Sequence, residues 1–419
     1  MMTLDTLLTV AAAAAALYLA FGVFYQLAYA VTGLLPQPRP AKPADPGRDL
    51  TRFAVFVAAY REDGVIVETA RRALRQRYPA DRFEVVVLAD QLRPSTLREL
   101  ATLDGVRTVL VVEEESTKSK ALRAGLRAVA DDGFGGVVVL DADNHMAPDF
   151  LLEADAYLAA GFRAVQGQRT APPGQLNATA RWDAISEAVN NHILCAGHHA
   201  VGLSARLAGS GMAFTFEVFA EVMRDVHAIG GFDKELELRL TRAGESIAYA
   251  REAVVYDEKV ASEEVFARQR GRWLAAQYTY AGRFLPGALA HLVRRGNLDH
   301  FNKALQMALP PRLLLPVSLL ALTTTALPWS TPWAAVFAAL FLLNAATFAI
   351  AIPPPMWEGA SWLLVRRLPA LVWQAGRAVA MIPASAKTFY HTPHPEAVPV
   401  AAAEGEASAE NPVGAGERR

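Results

Sequence analysis

The 419-residue sequence predicts an α/β fold with a mostly parallel sheet, flanked by transmembrane helices. Three observations support this prediction. Short apolar strands alternate with segments of helical periodicity between residues 51 and 300, which is typical of a parallel sheet with helices on both faces. One of these strands ends in two aspartates, and long uncharged segments lie near both ends of the chain.

The predicted elements of the central region follow one another in a regular order. Apolar runs predict strands, and positions spaced three or four apart predict helices. The expected strands are 53–59, 83–89, 106–112, 136–140 and 246–256, and the expected helices are 64–77, 119–129, 181–199, 234–243 and 263–284. A loop with Gly209, Ser210 and Gly211 interrupts the second half, and glycine lets a backbone approach a ligand closely.

The two uncharged segments predict membrane spans. No charged residue occurs from Thr6 to Pro38 or from Leu313 to Trp357. A helix needs about 20 apolar residues to cross a bilayer, so we expect one span within 1–36 and two within 309–352. A cleaved signal peptide is the alternative for the first segment, but basic residues are missing before it and it is too long.

Basic residues next to these segments predict the orientation. They all fall on one side of the expected spans, which should be the cytoplasmic side. The flanking residues are Arg39, Lys42, Arg48, Arg294, Arg295, Lys303, Arg312, Arg366 and Arg367. We therefore expect a multi-pass protein of the inner (plasma) membrane with its central domain, 51–300, in the cytoplasm. A net charge of −1 gives no electrostatic reason to expect nucleic acid as a partner.

Three further segments complete the expected organisation. Residues 37–50 are rich in proline and read as a linker. Residues 360–386 place several basic side chains on one helical face, so we expect a helix lying in the membrane interface, with a fourth span as the alternative. Residues 397–419, rich in Ala, Glu and Gly, are expected to be disordered.

Asp141 and Asp143 follow directly on the apolar run 136–140. Acids at the end of a buried strand lie at the carboxyl edge of the sheet, where open α/β sheets bind ligands. Two carboxylates there suit Mg²⁺ or Mn²⁺ carrying a diphosphate. The alternative is a turn rich in aspartate, which is common wherever a chain reverses.

Five sequence pieces in a fixed order resemble the membrane-bound members of glycosyltransferase family 2, the group of cellulose, chitin and hyaluronan synthases. The pieces are Ala59-Tyr60-Arg61-Glu62-Asp63, Asp90, Asp141-Ala142-Asp143-Asn144, Asp233-Lys234-Glu235-Leu236-Glu237-Leu238 and Gln269-Arg270-Gly271-Arg272-Trp273. The resemblance covers most of 52–284. It implies a GT-A fold and an inverting transfer from a UDP-sugar with the help of a divalent metal.

The resemblance also assigns roles on the donor side. Tyr60, Glu62 and Asp90 match positions that hold the base and ribose, although Asp90 could also be an ordinary strand-end acid. Lys118 matches a lysine near the phosphates, although a lysine that opens a helix is often solvated. Asp143, supported by Asp141, would hold the metal, whose charge stabilises the departing diphosphate.

Asp233 is the expected general base, because inversion requires a carboxylate that takes the proton of the acceptor hydroxyl. Family members usually carry an acid before this aspartate, whereas this chain has Phe232. That departure leaves the support of the base open. Glu235 and Glu237 are alternative bases, and capping of the following helix is an alternative role for Asp233.

On the acceptor side, Gln269, Arg272 and Trp273 form the Gln-x-x-Arg-Trp element. Arginine presents a fork that suits phosphate oxygens, and tryptophan offers a flat face to a sugar ring. The element is therefore expected to bind the acceptor and the diphosphate, with Gly209, Ser210 and Gly211 as part of the acceptor wall. A basic–aromatic anchor in the membrane interface is the alternative.

Four histidines and the single cysteine are interpreted as structural. His192, Cys195, His198 and His199 have a loosely metal-like spacing, but a core or surface helix explains them better. His145 follows the acids and could be a further metal ligand, although a histidine in a turn is the simpler reading.

These observations predict transfer from a UDP-sugar to a membrane-associated, saccharide or lipid-linked acceptor. A processive polysaccharide synthase that works with partner subunits is the nearest alternative. Two other classes stay open: a membrane-anchored nucleotidyltransferase, and a non-catalytic subunit of an export complex. The nucleotidyltransferase would not need Asp233 or the Gln-x-x-Arg-Trp element.

Overall fold

The computed structural model describes residues 3–40, 49–113, 116–172, 178–228, 230–257, 263–312 and 314–357, with the backbone alone at 178–179 and 263–273. These residues form one sheet of eight strands. The strands are β1 (Phe53–Tyr60), β2 (Phe83–Asp90), β3 (Val106–Leu110), β4 (Gly136–Asp141), β5 (Asn144–Met146), β6 (Ala164–Thr170), β7 (Met212–Thr215) and β8 (Ile247–Asp257).

The strand order is β3-β2-β1-β4-β7-β6-β8-β5. The first four strands in this order are parallel, whereas β7 runs antiparallel to both β4 and β6. β6 and β8 are parallel to each other, and β5 pairs antiparallel with β8. Most of the sheet is therefore parallel, which confirms the predicted fold class. The strands predicted from apolar runs all exist, with ends that differ by at most two residues.

Helices cover both faces of the sheet and extend beyond it. The helices that precede β6 in the chain are α1 (Leu4–Thr32), α2 (Ile66–Ala73), α3 (Pro94–Leu100), α4 (Lys118–Ala128) and α5 (Phe150–Ala159). Those that follow are α6 (Ala178–Asn190), α7 (Gly197–His199), α8 (Phe216–Met223), α9 (Phe232–Ala243), α10 (Glu263–Arg295), α11 (Leu298–Gln306), α12 (Leu315–Ala326), α13 (Thr331–Ala351) and α14 (Pro354–Trp357). A π-helix, Asn191–Ala196, joins α6 to α7.

Two separate apolar cores hold the sheet in place. Side chains alternate across a strand, so Phe56 and Val86 pack with α4 on one face while Val55 and Val85 pack with α2 on the other. Strands covered on both faces read as continuous apolar runs, which is why β1 and β4 are recognisable in the sequence.

Two helices, α1 and α13, are long and apolar enough to cross a membrane. The helix α12 between them is apolar but has only 12 residues, fewer than the ~20 that a span requires. All three pack together through small and apolar residues, and they expose Leu7, Leu17, Phe24 and Leu342. Two spans within 309–352 therefore stay a prediction. Residues 41–48 of the linker predicted at 37–50, the predicted interfacial helix at 360–386 and the predicted tail at 397–419 lie outside the described residues.

The C-terminal half of α1 is docked on the sheet-containing domain. The Tyr25 hydroxyl donates a hydrogen bond to Asn302 Oδ1 at 3.0 Å and lies 3.0 Å from His198 Nε2. The ring of Tyr29 lies 3.9 Å from the ring of His198. Gly197 lets the two backbones meet, because a Cβ there would lie 2.1 Å from the carbonyl oxygen of Tyr29.

We therefore expect Gly197→Ala to weaken the docking of α1. The added methyl would overlap a backbone atom that cannot rotate away, and such overpacking typically costs about 1–3 kcal/mol. Thermal unfolding of the detergent-solubilised chain should show the loss as a lower midpoint. Gly202→Ala is an informative control, because a Cβ at Gly202 meets nothing within 4 Å although its φ of +77° adds backbone strain. A larger loss in the control would contradict the docking argument.

Candidate active site

The carboxyl ends of three parallel strands meet at one edge of the sheet. Tyr60 at the end of β1 is in register with Asp90 at the end of β2, and Ala58 is in register with Asp141 at the end of β4. The Asp90 side chain is almost fully buried and accepts a hydrogen bond from the Ser116 hydroxyl. Three predicted site residues, Tyr60, Asp90 and Asp141, therefore lie along the same edge.

Two residues that the sequence did not single out shape this edge. Arg61 and Gln91 follow β1 and β2 and have φ angles of 57° and 56°, in the left-handed region that non-glycine residues rarely adopt. The Arg61 guanidinium donates to Gln91 Oε1, and the Arg61 amide donates to the carbonyl oxygen of Asp90. Such strain costs about 1–3 kcal/mol per residue and is concentrated at functional sites. Glu62 continues the turn, where its carbonyl accepts hydrogen bonds from the amides of Val65 and Ile66.

Lys118, at the first turn of α4, lies within the site. Its ammonium group forms an ion pair with Asp141 and donates a hydrogen bond of 2.6 Å to the carbonyl oxygen of Gly209. The Asp141 amide in turn donates to the Ser210 hydroxyl at 3.0 Å. Lys118 is therefore not a solvated lysine at a helix start. It connects Asp141, a predicted metal ligand at the end of β4, with the loop 207–211.

Burial raises the pKa of the Asp141 carboxyl, the Lys118 ammonium opposes this effect, and the neighbouring Asp143 carboxylate raises that pKa further. The two acids thus lie close enough to repel each other. A cation that binds between them would relieve the repulsion.

The loop 207–211 is held by hydrogen bonds to Gln166 and packs against Val255. Gln166 on β6 accepts a hydrogen bond from the Ala208 amide at 2.8 Å and donates to the carbonyl oxygen of Ser210 at 3.1 Å. Gly209 and Gly211 have φ angles of 84° and 64°, which glycine adopts without strain. A Cβ at Gly211 would also lie only 2.9 Å from a methyl carbon of Val255. The loop is therefore a rigid wall beside Asp141.

Asp233 lies in the first turn of α9. The helix begins at Phe232, and its N-cap is Gly231 in a left-handed conformation with φ of 63°. The alternative in which Asp233 caps the helix is therefore wrong, because the helix starts before it. Within the part of the chain that the structure describes, its carboxylate has no hydrogen-bond or ion-pair partner. An acid in the first turn interacts favourably with the positive end of a helix.

Phe232, the departure from the family pattern, has a place in the site. Its ring centroid lies 5.1 Å from the Lys118 ammonium, and its edge lies beside Gly209. A cation over an aromatic face is attracted to it. Phe232 therefore covers Lys118 at the point where other family members carry an acid, and it brings the start of α9 next to Lys118 and the loop 207–211.

The two alternative bases are wrong. Glu235 is fully buried and pairs with Arg239 at 2.7 Å and Arg283 at 3.3 Å. Glu237 is 1% exposed, and it accepts a hydrogen bond of 2.9 Å from the amide of Leu207. Neither carboxylate can reach an acceptor hydroxyl, because both point into the core between α9 and its neighbours.

Gln269, Arg272 and Trp273 belong to α10 by their backbone, but their side chains lie outside the described part of the structure. Their assignment to the acceptor and diphosphate therefore stays a prediction. The same helix contacts α1 a little farther on, where the hydroxyl oxygens of Tyr278 and Tyr18 lie 3.4 Å apart. Trp273 precedes Tyr278 by five residues, or about 7.5 Å of helix. The backbone of the Gln-x-x-Arg-Trp element is thus close, along α10, to the contact between α10 and α1.

Asp141 and Asp143 are the residues that fit a divalent metal. Among the described residues no cluster of three or more His, Cys, Asp or Glu side chains could hold a metal ion alone. Two carboxylates are a suitable donor set when a diphosphate and water complete the coordination of Mg²⁺ or Mn²⁺. Burial and the nearby Arg72 lower the pKa of the His145 imidazole, which favours the neutral ring. A role of His145 as a further metal ligand stays a prediction.

The other histidines and the cysteine are core residues of the segment 191–199. His192 contacts the carbonyl oxygen of Ala30 at 2.8 Å, and His199 contacts that of Pro38 at 3.2 Å. His198 and Cys195 are buried. The histidines thus attach α1 and the segment after it to the domain.

Comparisons with known proteins agree with this architecture. Residues 51–276 match the family model described as glycosyltransferase like family 2. The probable glycosyltransferase YdaM of Bacillus subtilis (strain 168) is 23% identical over an alignment of 266 residues, and this alignment covers 57% of this chain. The aligned region spans 58% of that relative's length.

Among solved structures, the mannosyltransferase PcManGT from Pyrobaculum calidifontis, in complex with GDP-Man and Mn²⁺, aligns with a TM-score of 0.50. It is 22% identical, and the alignment covers 81% of this chain and 98% of that structure. This similarity confirms the fold expected for the sheet-containing domain, the nucleotide-diphospho-sugar transferase or GT-A fold.

Proposed function

Because the chain belongs to glycosyltransferase family 2, we propose that it transfers a sugar from a UDP-sugar to a membrane-associated or lipid-linked acceptor, with inversion at the transferred carbon. The observation that carries the proposal is the meeting of Lys118, Asp141 and the loop 207–211 at the carboxyl edge, beside the start of α9. In this arrangement the cation of Lys118, the candidate metal ligands Asp141 and Asp143, and the candidate base of α9 surround one site.

The donor would bind along the ends of β1, β2 and β4. Asp90 and Tyr60 would contact the nucleoside, since they lie in register at the ends of adjacent strands. The diphosphate would then lie toward Asp141 and Lys118. The uracil preference rests on the family resemblance. GDP-mannose is the informative comparison, since the solved mannosyltransferase contains it.

Asp141 and Asp143 would hold Mg²⁺ or Mn²⁺ on the diphosphate, and the ion would supply charge that stabilises the leaving group. When the metal and diphosphate bind, Lys118 could turn from Asp141 toward a phosphate oxygen, because the two polar partners of its ammonium among the described residues are Asp141 and the carbonyl of Gly209. Lys118 would then help to offset the charge that develops as the glycosidic bond breaks.

Asp233 would act as the general base. It takes the proton of the acceptor hydroxyl while that oxygen attacks the anomeric carbon from the side opposite the diphosphate. The proton ends on the carboxylate, and the bonding pair of the broken glycosidic bond leaves with the diphosphate. Phe232 excludes water beside Lys118, which strengthens electrostatic interactions within the site.

A membrane-associated acceptor is supported by the position of α10. This helix carries the Gln-x-x-Arg-Trp element and contacts α1, an apolar helix long enough to cross a bilayer. An acceptor with a lipid anchor could thus reach the site from the membrane surface. A processive synthase with export partners uses the same chemistry, so the product decides between the two.

The test is release of nucleoside diphosphate by the purified chain in lipid nanodiscs, from UDP-glucose, UDP-N-acetylglucosamine, UDP-galactose and GDP-mannose, with Mn²⁺ or with EDTA. We expect release from one UDP-sugar only with Mn²⁺, and loss of release in Asp143→Asn. A radiolabelled sugar should move to the lipid extract, whereas label in a polymer would favour a synthase.

Other outcomes would contradict the proposal. Release of pyrophosphate would indicate a nucleotidyltransferase. Absence of release and of donor binding, in protein that unfolds cooperatively, would favour a non-catalytic subunit of an export complex. Release that EDTA leaves unchanged would remove the metal from the proposal.

A further inference from the structure

Three side chains outside the predicted site lead from Asp143 into the core. The Asn144 amide nitrogen donates to Asp143 Oδ1 at 3.1 Å and to Asp257 Oδ1 at 2.9 Å. Asp257 Oδ2 pairs with Arg169 Nη2 at 2.6 Å. We call Asn144, Asp257 and Arg169 the Asp143 support chain.

The orientation of the Asn144 amide is fixed by the acids on both sides. Its NH₂ group has two protons and gives one to each carboxylate, whereas the reversed amide would direct its oxygen at two anions. The side chain is 0% exposed, and within the described residues its Oδ1 has no hydrogen-bond partner. A buried acceptor without a partner lowers stability. The Asn144 amide thus donates to both carboxylates, while its own oxygen accepts no hydrogen bond from the described residues.

Backbone pairing holds Asn144 in this position. Asn144 on β5 is in register with Asp257 on β8, so the two side chains lie side by side on one face of an antiparallel pair. Because β5 starts directly after Asp143, any shift in the pairing of β5 with β8 would also move the Asp143 carboxylate. The short β5 therefore fixes where Asp143 leaves the sheet.

Arg169 fixes the far end of the chain. Its guanidinium donates to Asp257 and, at 2.6 Å through Nη1, to the carbonyl oxygen of Ala208 in the loop 207–211. Both bonds use the planar fork, which lysine cannot reproduce. The Arg169 carbonyl is itself held by the Asn191 amide at 2.7 Å, in the π-helix. One partly buried cation thus connects the loop 207–211 with Asp257.

We propose that Asn144, Asp257 and Arg169 are positioning residues that hold the Asp143 carboxylate in the orientation a divalent cation requires. This inference rests on the proposed function, because it assumes that Asp143 binds the metal. The Asn144 hydrogen bond prevents rotation of the Asp143 carboxylate, and Asp257 with Arg169 prevents movement of Asn144. Partners that orient metal ligands in this way typically change metal affinity about 10–100-fold when they are removed.

The test measures Mn²⁺ binding by electron paramagnetic resonance in the full chain, with UDP and with GDP. Bound Mn²⁺ lowers the signal of the free ion, so the measurement does not depend on transfer. We expect Asn144→Ala to raise the Mn²⁺ dissociation constant by about 10–100-fold. Arg169→Lys, which keeps the charge but loses the fork, should raise it less.

Gln76→Ala is the matched control. The Gln76 amide also bridges two groups, the carbonyl oxygen of Ala147 and the amide of Leu151, but neither is a carboxylate. It should lower the unfolding temperature without changing the Mn²⁺ dissociation constant. If Asn144→Ala does not fold, Asn144→Leu fills the same volume without an amide and should show the same loss of affinity.

A second readout separates positioning from general damage. In transfer assays, Asn144→Ala should require more Mn²⁺ for half-maximal rate, while the rate at saturating Mn²⁺ stays near that of the wild type. Wild-type Mn²⁺ affinity in folded Asn144→Ala or Asn144→Leu would overturn the inference and leave the proposed function intact. Absence of Mn²⁺ binding in the wild-type chain with either nucleotide would remove the proposed metal site itself.

Discussion

Asp233→Asn is expected to lower the rate constant of transfer by about 10²–10⁴-fold, the usual contribution of a positioned general base. Asparagine has the same shape but cannot take the proton of the acceptor hydroxyl. Asp233 has no ion-pair partner within the described part of the chain, so its replacement leaves no buried charge behind. Binding of the UDP-sugar, measured by calorimetry, should therefore change little.

The control for this substitution is Glu217→Gln. Glu217 lies in the first turn of α8, as Asp233 lies in the first turn of α9, so both acids interact with the positive end of a helix. That interaction contributes about 0.3–1 kcal/mol at an exposed position. Glu217 also forms a surface ion pair with Arg163 at 2.9 Å, which contributes about 0–1 kcal/mol. Both variants should thus lose only a small amount of stability, whereas only Asp233→Asn should lose transfer. Wild-type transfer by Asp233→Asn would contradict the assignment of the base.

The parallel half of the sheet could be predicted because its signals are local. The strands β1, β2 and β4 are short apolar runs, and each ends in a polar residue. Parallel strands place their carboxyl ends at one edge, so the position of Asp90 and Asp141 on that edge followed from the sequence. The closeness of Asp141 to Lys118 was suggested by the family resemblance and is visible in the ion pair.

The second half of the sheet could not be predicted in the same way. Its order, β7-β6-β8-β5, joins strands that are far apart in the sequence, and β5 has only three residues. Pairing of this kind depends on contacts between distant segments and leaves no periodic pattern. The support of Asp143 by Asn144 and Asp257, which depends on the register of β5 with β8, was for the same reason not recognisable.

Backbone conformation explains the other differences. The left-handed conformations of Arg61 and Gln91 occur in residues that seldom adopt them, so composition gives no indication of them. The start of α9 was expected at residue 234, but the left-handed Gly231 lets the helix begin at Phe232. A Gly-Gly-Phe-Asp sequence before a helix is a signal that could have indicated this start.

Lys303→Met is expected to cause the largest loss of stability. The Lys303 side chain is 0% exposed, and its ammonium lies 3.9 Å from Glu237 Oε2 and 3.3 Å from Gln306 Oε1. Removal of one partner of a buried ion pair leaves the other charge uncompensated, at a cost of about 3–5 kcal/mol. Methionine fills similar volume, so the loss should come from the stranded carboxylate and not from a cavity.

Lys120→Met is the matched control, because Lys120 pairs with Glu113 at 4.0 Å with both side chains about one-third exposed. A surface pair contributes about 0–1 kcal/mol. The double variant Lys303→Met/Glu237→Gln should lose less free energy of unfolding than Lys303→Met alone. Neither member of the pair then leaves a buried charge, and glutamine still accepts a hydrogen bond from the Leu207 amide. Equal losses in the two would contradict an electrostatic origin.

The loss in Lys303→Met should also depend on pH. Burial raises the pKa of Glu237, and the Lys303 ammonium lowers it, so the variant should raise this pKa further. A carboxyl whose pKa is higher in the folded than in the unfolded chain binds a proton more tightly when folded. Protonation of Glu237 therefore stabilises the folded variant at low pH, and this stabilisation is lost as the pH rises from the unfolded pKa of about 4.3 through the folded pKa.

Chemical unfolding should accordingly show that Lys303→Met loses much free energy of unfolding at pH 8 and less at pH 5, while the double variant should show no such dependence on pH. Because Glu237 also holds the Leu207 amide, the same measurement tests whether the wall beside Asp141 depends on a buried ion pair that lies outside the site.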